Sequence, residues 1–160
     1  MIRSLIISCL LASPVMAGTV ASTAIDSFNA ICFKAGQTAA EARMRMEARA
    51  GSPLPFDLTF WDKTLQPAPD TPPKIERRCE VRFDGDHTDT AIAALRKQMA
   101  TPPVFGFAID LPDTHAEASG TALIEGRELL RGRVAVVHVG TRDGQTFMAV
   151  DRLPRGWEGG

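Results

Sequence analysis

From Ile75 to Asp84 the chain alternates without a break. Ile75, Arg77, Cys79, Val81 and Phe83 fall on one side; Glu76, Arg78, Glu80, Arg82 and Asp84 fall on the other. Successive side chains of a strand leave opposite faces, so this pattern predicts a strand. A strand with one face this polar does not belong inside an all-parallel sheet, where both faces are covered. An antiparallel or edge-like setting fits it.

Cys79 shares its side with Val81 and Phe83. Cys32 belongs to an earlier stripe, Ile25, Phe28, Cys32 and Ala35, at helical spacing. Thr23 with Asp26 three residues on offers a capping box for this first helix, and Gly36 a stop. The two cysteines thus face one core, the arrangement that a helix-to-sheet disulfide needs. Such a bond closes a loop of about 48 residues, worth roughly 4 kcal/mol in the chain-entropy account. A redox-active pair and two buried free thiols are the alternatives; catalytic pairs usually sit two residues apart at a helix start.

Thr38 and Glu41 repeat the capping-box spacing, which predicts a second helix from Ala39 to Ala50, with Ala42 and Met46 inward and Gly51-Ser52-Pro53 at its end. Phe56, Leu58 and Phe60 alternate with Asp57 and Thr59, a short strand with Trp61 at its end. Pro67, Pro69, Pro72 and Pro73 mark a surface loop. After Asp84-Gly85-Asp86, a cap at Asp86 or Thr88 starts a third helix carrying Ile92, Leu95 and Met99, stopped by Thr101-Pro102-Pro103. Val104 to Leu111 and Gly120 to Glu125 are further strand candidates.

Leu129 to Thr141 and Gln145 to Arg152 flank Arg142-Asp143-Gly144, and an Asp-Gly pair suits a type I′ reversal. If Arg142 pairs with Gln145, Val139 faces Met148, His138 faces Ala149 and Val137 faces Val150. Both faces of this hairpin are apolar, which places it inside the sheet. The order α-α-β-β-α-β-β-β-β, with short turns between strands, predicts an α+β fold: a mainly antiparallel sheet with two N-terminal helices and one inserted helix packed on one face.

Residues 1–17 have the three-part layout of a secretory signal: Arg3, the apolar run Leu5 to Leu11, then Pro14 and a small residue, Ala17, before Gly18. The run is too short to span a bilayer. The expected organisation is therefore a signal peptide over 1–17 and one domain over 18–160 with a loose tail from Pro154. The expected location is periplasmic or secreted, where paired cysteines oxidise. The 18 Lys and Arg nearly balance 19 acids, so no nucleic-acid partner is implied, nor any later membrane span.

The candidate chemistry is sparse. Asp84, Asp86, His87 and Asp89 form the densest polar cluster. Asp89 and Leu95 stand where an EF-hand loop needs Gly and Glu, so the cluster reads as acids at a helix N-terminus. His138 and Asp151 lie diagonally across the last hairpin. They are half of a polar site, or a half-buried histidine with one hydrogen bond. His115 follows Asp113 and Thr114 in a loop, which predicts a surface position. The histidines lack zinc-ligand spacing, and the few serines form no nucleophile elbow, so no catalytic residue, metal or cofactor is assigned.

Arg77, Arg78 and Arg82 on one strand, with Arg127, Arg131 and Arg133 on another, offer a patch for an anionic partner if the strands pair. Interleaved Glu76, Glu80, Glu125 and Glu128 favour a cross-strand charge ladder instead. Trp61 with the proline-rich loop is a second candidate surface for a partner; the alternative is that Trp61 closes the rim of the core.

The leader, Phe28-x-x-x-Cys32 on an opening helix, Arg77-Arg78-Cys79-x-Val81 on a strand, and the closing hairpin with Phe147 and Arg152 together resemble small secreted proteins of alphaproteobacteria. The resemblance implies a periplasmic or exported protein and carries over no activity. The function expected is a non-enzymatic module, stapled by one disulfide, that binds or modulates an envelope protein or an anionic ligand. The alternatives are a small envelope hydrolase or metal-dependent enzyme, using His138 with Asp151 or the acids around His87, and a structural stress protein without a small ligand.

Overall fold

The structure is a computed structural model that describes residues 15–101 and 106–156, with side chains described from residue 19. Most of the expected leader, Pro102, Pro103 and Val104 to Phe105, and the end of the expected tail lie outside the described residues. The elements run α1 (Val15–Ile31), α2 (Ala39–Ala50), β1 (Asp57–Asp62), β2 (Arg77–Asp84), α3 (Thr88–Met99), β3 (Phe107–Ile109), β4 (Thr121–Leu129), β5 (Arg133–Arg142) and β6 (Gln145–Arg152). This is an α+β fold. All six strands join one antiparallel sheet in the order β1-β2-β6-β5-β4-β3.

The central hairpin has the expected register: Arg142 pairs with Gln145, Val139 with Met148, His138 with Ala149 and Val137 with Val150. Asp143 (φ 51°) and Gly144 (φ 76°) make the left-handed turn between the strands. With β6 and β5 at its centre, the sheet buries the apolar residues that both strands carry. Cys79, Val81, Phe83, Val137, Val139 and Met148 meet the helices in one core, into which α1 sends Ala24, Ile25 and Phe28, α2 Ala42 and Met46, and α3 Ala91, Leu95 and Met99. The disulfide Cys32–Cys79 ties the end of α1 to this face, with a Cα separation of 5.4 Å.

Four local expectations are corrected. Thr23 does not cap α1. It lies inside a helix that already begins at Val15, and its hydroxyl donates to the Thr19 carbonyl one turn back (2.7 Å). Ala35 is exposed, because α1 ends at Ile31 and the stripe does not continue past Cys32. The N-cap of α3 is His87, and Asp86 instead accepts the Thr88 N–H from one residue further out (3.1 Å). Leu129 to Thr141 is not one strand: Leu129 ends β4, Arg131 and Gly132 both take φ 67°, and β5 restarts at Arg133. Thr38 and Glu41 do form the capping box of α2.

No helix among the described residues is long and apolar enough to cross a membrane.

Candidate functional site

Because β2, β5 and β6 alternate, their other face carries Arg78, Glu80, His138, Phe147, Ala149 and Asp151, away from the helices. At its middle Asp151 is wholly buried. Arg78 from the neighbouring strand grips it with two parallel hydrogen bonds, Nε to Oδ1 (2.7 Å) and a terminal nitrogen to Oδ2 (2.6 Å). His115 Nε2 lies 2.9 Å from Oδ2 and His138 Nε2 lies 3.5 Å from it; the latter nitrogen is buried without a hydrogen bond. Thr114 Oγ1 meets His115 Nδ1 at 2.8 Å, and the two imidazoles stand edge to face.

The side chain of His115 is buried, not on the surface as expected. The segment after β3 folds back over this face because Gly126 lets it come close. A Cβ there would meet the Asp110 carbonyl oxygen at 2.9 Å and Ile109 and Pro112 side-chain atoms at 3.1 Å. Nothing periodic in the loop marks this. The signals that existed were Gly126 and the diagonal His138–Asp151 pair, which left a carboxylate oxygen to be satisfied.

Burial alone would raise the Asp151 carboxyl. The hydrogen bonds from Arg78, then that of His115 and the nearby His138 ring nitrogen, together with the Arg78 charge, outweigh it and hold the group far below the usual carboxylate range. Asp151 in turn holds the Arg78 guanidinium above its ordinary value. Glu80, also buried, takes a 2.6 Å bond from Arg82 Nε. Every oxygen of Asp151 is thereby occupied by a neighbour of its own chain.

The arginines expected on one patch are split. Strands β6 and β5 separate β2 from β4, so the two arginine-bearing stretches do not pair. Arg78 and Arg82 lie on the open face, Arg131 is exposed in the β4–β5 turn, and Arg77 and Arg133 lie on the helical face at the far end of the sheet. Trp61 is half-buried. It packs with Ile75, Val134 and Leu153, and Lys63 Nζ lies 5.2 Å above its ring.

Around Arg77 a second polar centre forms. Asp62, Arg77 and Arg152 are cross-strand neighbours at one end of β1, β2 and β6. Arg152 donates to both Asp62 oxygens (3.1 and 3.0 Å) and, through Nε, to Glu76 (2.8 Å). Arg77 donates to the Cys32 carbonyl at the end of α1 (3.1 Å) and lies over the Phe60 ring. Burial lowers the Arg77 pKa to about 10, with the Arg152 charge adding to the fall and Asp62 opposing it.

Of the acids around His87, Asp86 accepts from Thr88 and Thr141, and Asp84 from Gln145. Thr88 and Thr141 hold Asp86 below its usual range. Among the described residues no three His, Cys, Asp or Glu side chains come together as a metal set. No family model, curated protein or solved structure matches this chain.

Proposed function

We propose that this chain is an exported envelope protein, cleaved after Ala17, that works as a non-enzymatic module binding an anionic partner or an envelope protein. The observation that carries the reading is the saturation of Asp151. The His138–Asp151 pair, the constellation with a wholly buried carboxylate, is filled by Arg78 and His115. The side-chain hydroxyl bonded to an imidazole there is Thr114 on His115, the next residue along. A general base needs a free face toward a nucleophile or substrate, and a carboxylate gripped by a bidentate arginine orders structure instead. The disulfide supports export, since such bonds persist in oxidising compartments. Its pattern of leader, paired cysteines and closing hairpin resembles that of small secreted alphaproteobacterial proteins.

The test compares the oxidised wild type with His138→Ala. Immobilised protein is exposed to envelope extract and washed with salt, while melting and hydrolysis of envelope substrates are followed in parallel. The expected result is lowered stability with partner retention unchanged. A hydrolytic activity that vanishes in still-folded His138→Ala protein would sink the proposal.

A further inference from the structure

Between the end of α1 and the end of the sheet lies a narrow cavity of about 60 Å³, walled by Phe33, Leu129 and Val150 and floored by Arg77, Arg133 and Arg152. It shares Ala35, Arg133 and Arg152 with a wider one of about 530 Å³, where Glu76 and Arg155 join the wall. Four guanidinium groups thus meet two carboxylates, Asp62 and Glu76, which are already bonded to Arg152. Among the described residues Arg133 and Arg155 have no ion pair.

The buried side of the cleft is short of acceptors. Arg77 is about 5% exposed, and its Nε–H is buried without a hydrogen bond; Asp62 Oδ2 stands 3.9 Å from it. A buried donor without an acceptor is costly, and the two cations left over, Arg133 (half-exposed) and Arg155 (exposed), line the wider cavity without a counter-charge. Both deficits are met by one ligand group with two coplanar oxygens, which matches the guanidinium fork. The apolar walls beside the arginines ask that group to carry a hydrocarbon stem. We infer that this cleft binds a small carboxylate with an apolar stem, the chemistry of a short-chain fatty acid. The inference rests on the reading of the chain as a binding module and names the ligand class of one of its sites.

Full-length oxidised protein is titrated with hexanoate, with neutral hexanol and with inorganic phosphate, by calorimetry and thermal melting. Arg133→Gln is the variant of choice, because Arg133 is half-exposed at a strand start and its loss spares the core; circular dichroism checks its fold. The expected result is saturable hexanoate binding with a raised melting temperature, weakened about tenfold by Arg133→Gln and by added salt, and absent for hexanol. No saturable binding overturns the inference, as does binding equal in wild type and Arg133→Gln. Phosphate binding that depends on Arg133 and excludes hexanoate overturns it in favour of a phosphate site. If hexanoate fails while the protein still retains an envelope partner through the salt wash, only this inference falls and the binding reading stands.

Discussion

At Asp151 two opposing effects meet. Burial pushes the carboxyl toward its neutral form, and the donors of Arg78 and His115 push it toward the anion; the donors win. The folded-state pKa therefore lies below the unfolded one, so the unfolded chain binds the proton more readily in acid. The stability that Asp151 contributes is whole above the unfolded carboxylate value, near ~3.9, and drains as pH falls from about 5 toward the folded value. Asp151→Asn removes that pH slope and leaves Arg78 with an amide in place of its counter-charge, at a cost of about 3 kcal/mol near neutrality. Urea unfolding from pH 3 to 7 checks both. A variant whose stability falls as steeply with acid as the wild type shows that the slope belongs to other carboxylates. Part of this centre was legible in the sequence. Once Arg142 pairs with Gln145, period two alone puts His138 and Asp151 on one face. Arg78 needed the β2–β6 pairing, and His115 needed a loop to fold over the sheet; both are long-range facts that no local periodicity encodes.

Two agreeing signals placed α2 and the last hairpin, whereas at α1 the pair of signals that served for α2 found the helix and misplaced its start. Capping box and apolar stripe together fixed α2, and alternation with an Asp-Gly turn fixed the β5–β6 hairpin. The β4–β5 reversal was missed because its left-handed positions include an arginine, Arg131, a residue type that seldom signals a turn. That reversal sets which face Arg133 occupies, and with it the split of the arginines between two faces. The same β4 strand carries Gly126, which seats the returning segment. Gly126→Ala would press a methyl group against the Asp110 carbonyl, and backbone cannot step aside as a flexible side chain can. The expected cost is about 1–3 kcal/mol, and the displaced segment carries His115 away from Asp151. Thermal melting reads the first effect, and the His115 imidazole resonances read the second. An unchanged His115 signal in a destabilised protein means that Gly126 matters for packing only.

At the scale of the molecule, the helices cover one face of the sheet, while Arg78, Arg82, His138 and a returning loop that carries His115 dress the other. The α1 residues that the structure places in the core start at Ala21 and run through Ala24, Ile25, Phe28 and Ile31. All of them lie after the proposed cleavage point, although α1 itself begins at Val15. Cleavage after Ala17 would thus shorten the helix at its start and take none of these core residues, and the Thr23–Thr19 bond would survive. The anchor at the other end of α1, Cys32 to Cys79, is independent of the leader. A chain of residues 18–160 should therefore fold cooperatively and melt at the temperature of the full-length oxidised protein. Protein recovered from the cell envelope or medium of its own source should have the mass of that shorter chain less two hydrogens. Intact-mass spectrometry with and without reductant, beside a thermal melt of the shorter chain, decides it. Full-length protein with both thiols free would remove the case for export. A shorter chain that fails to melt cooperatively would mean that residues before Gly18 belong to the fold, and that α1 needs its first turn to hold the core closed.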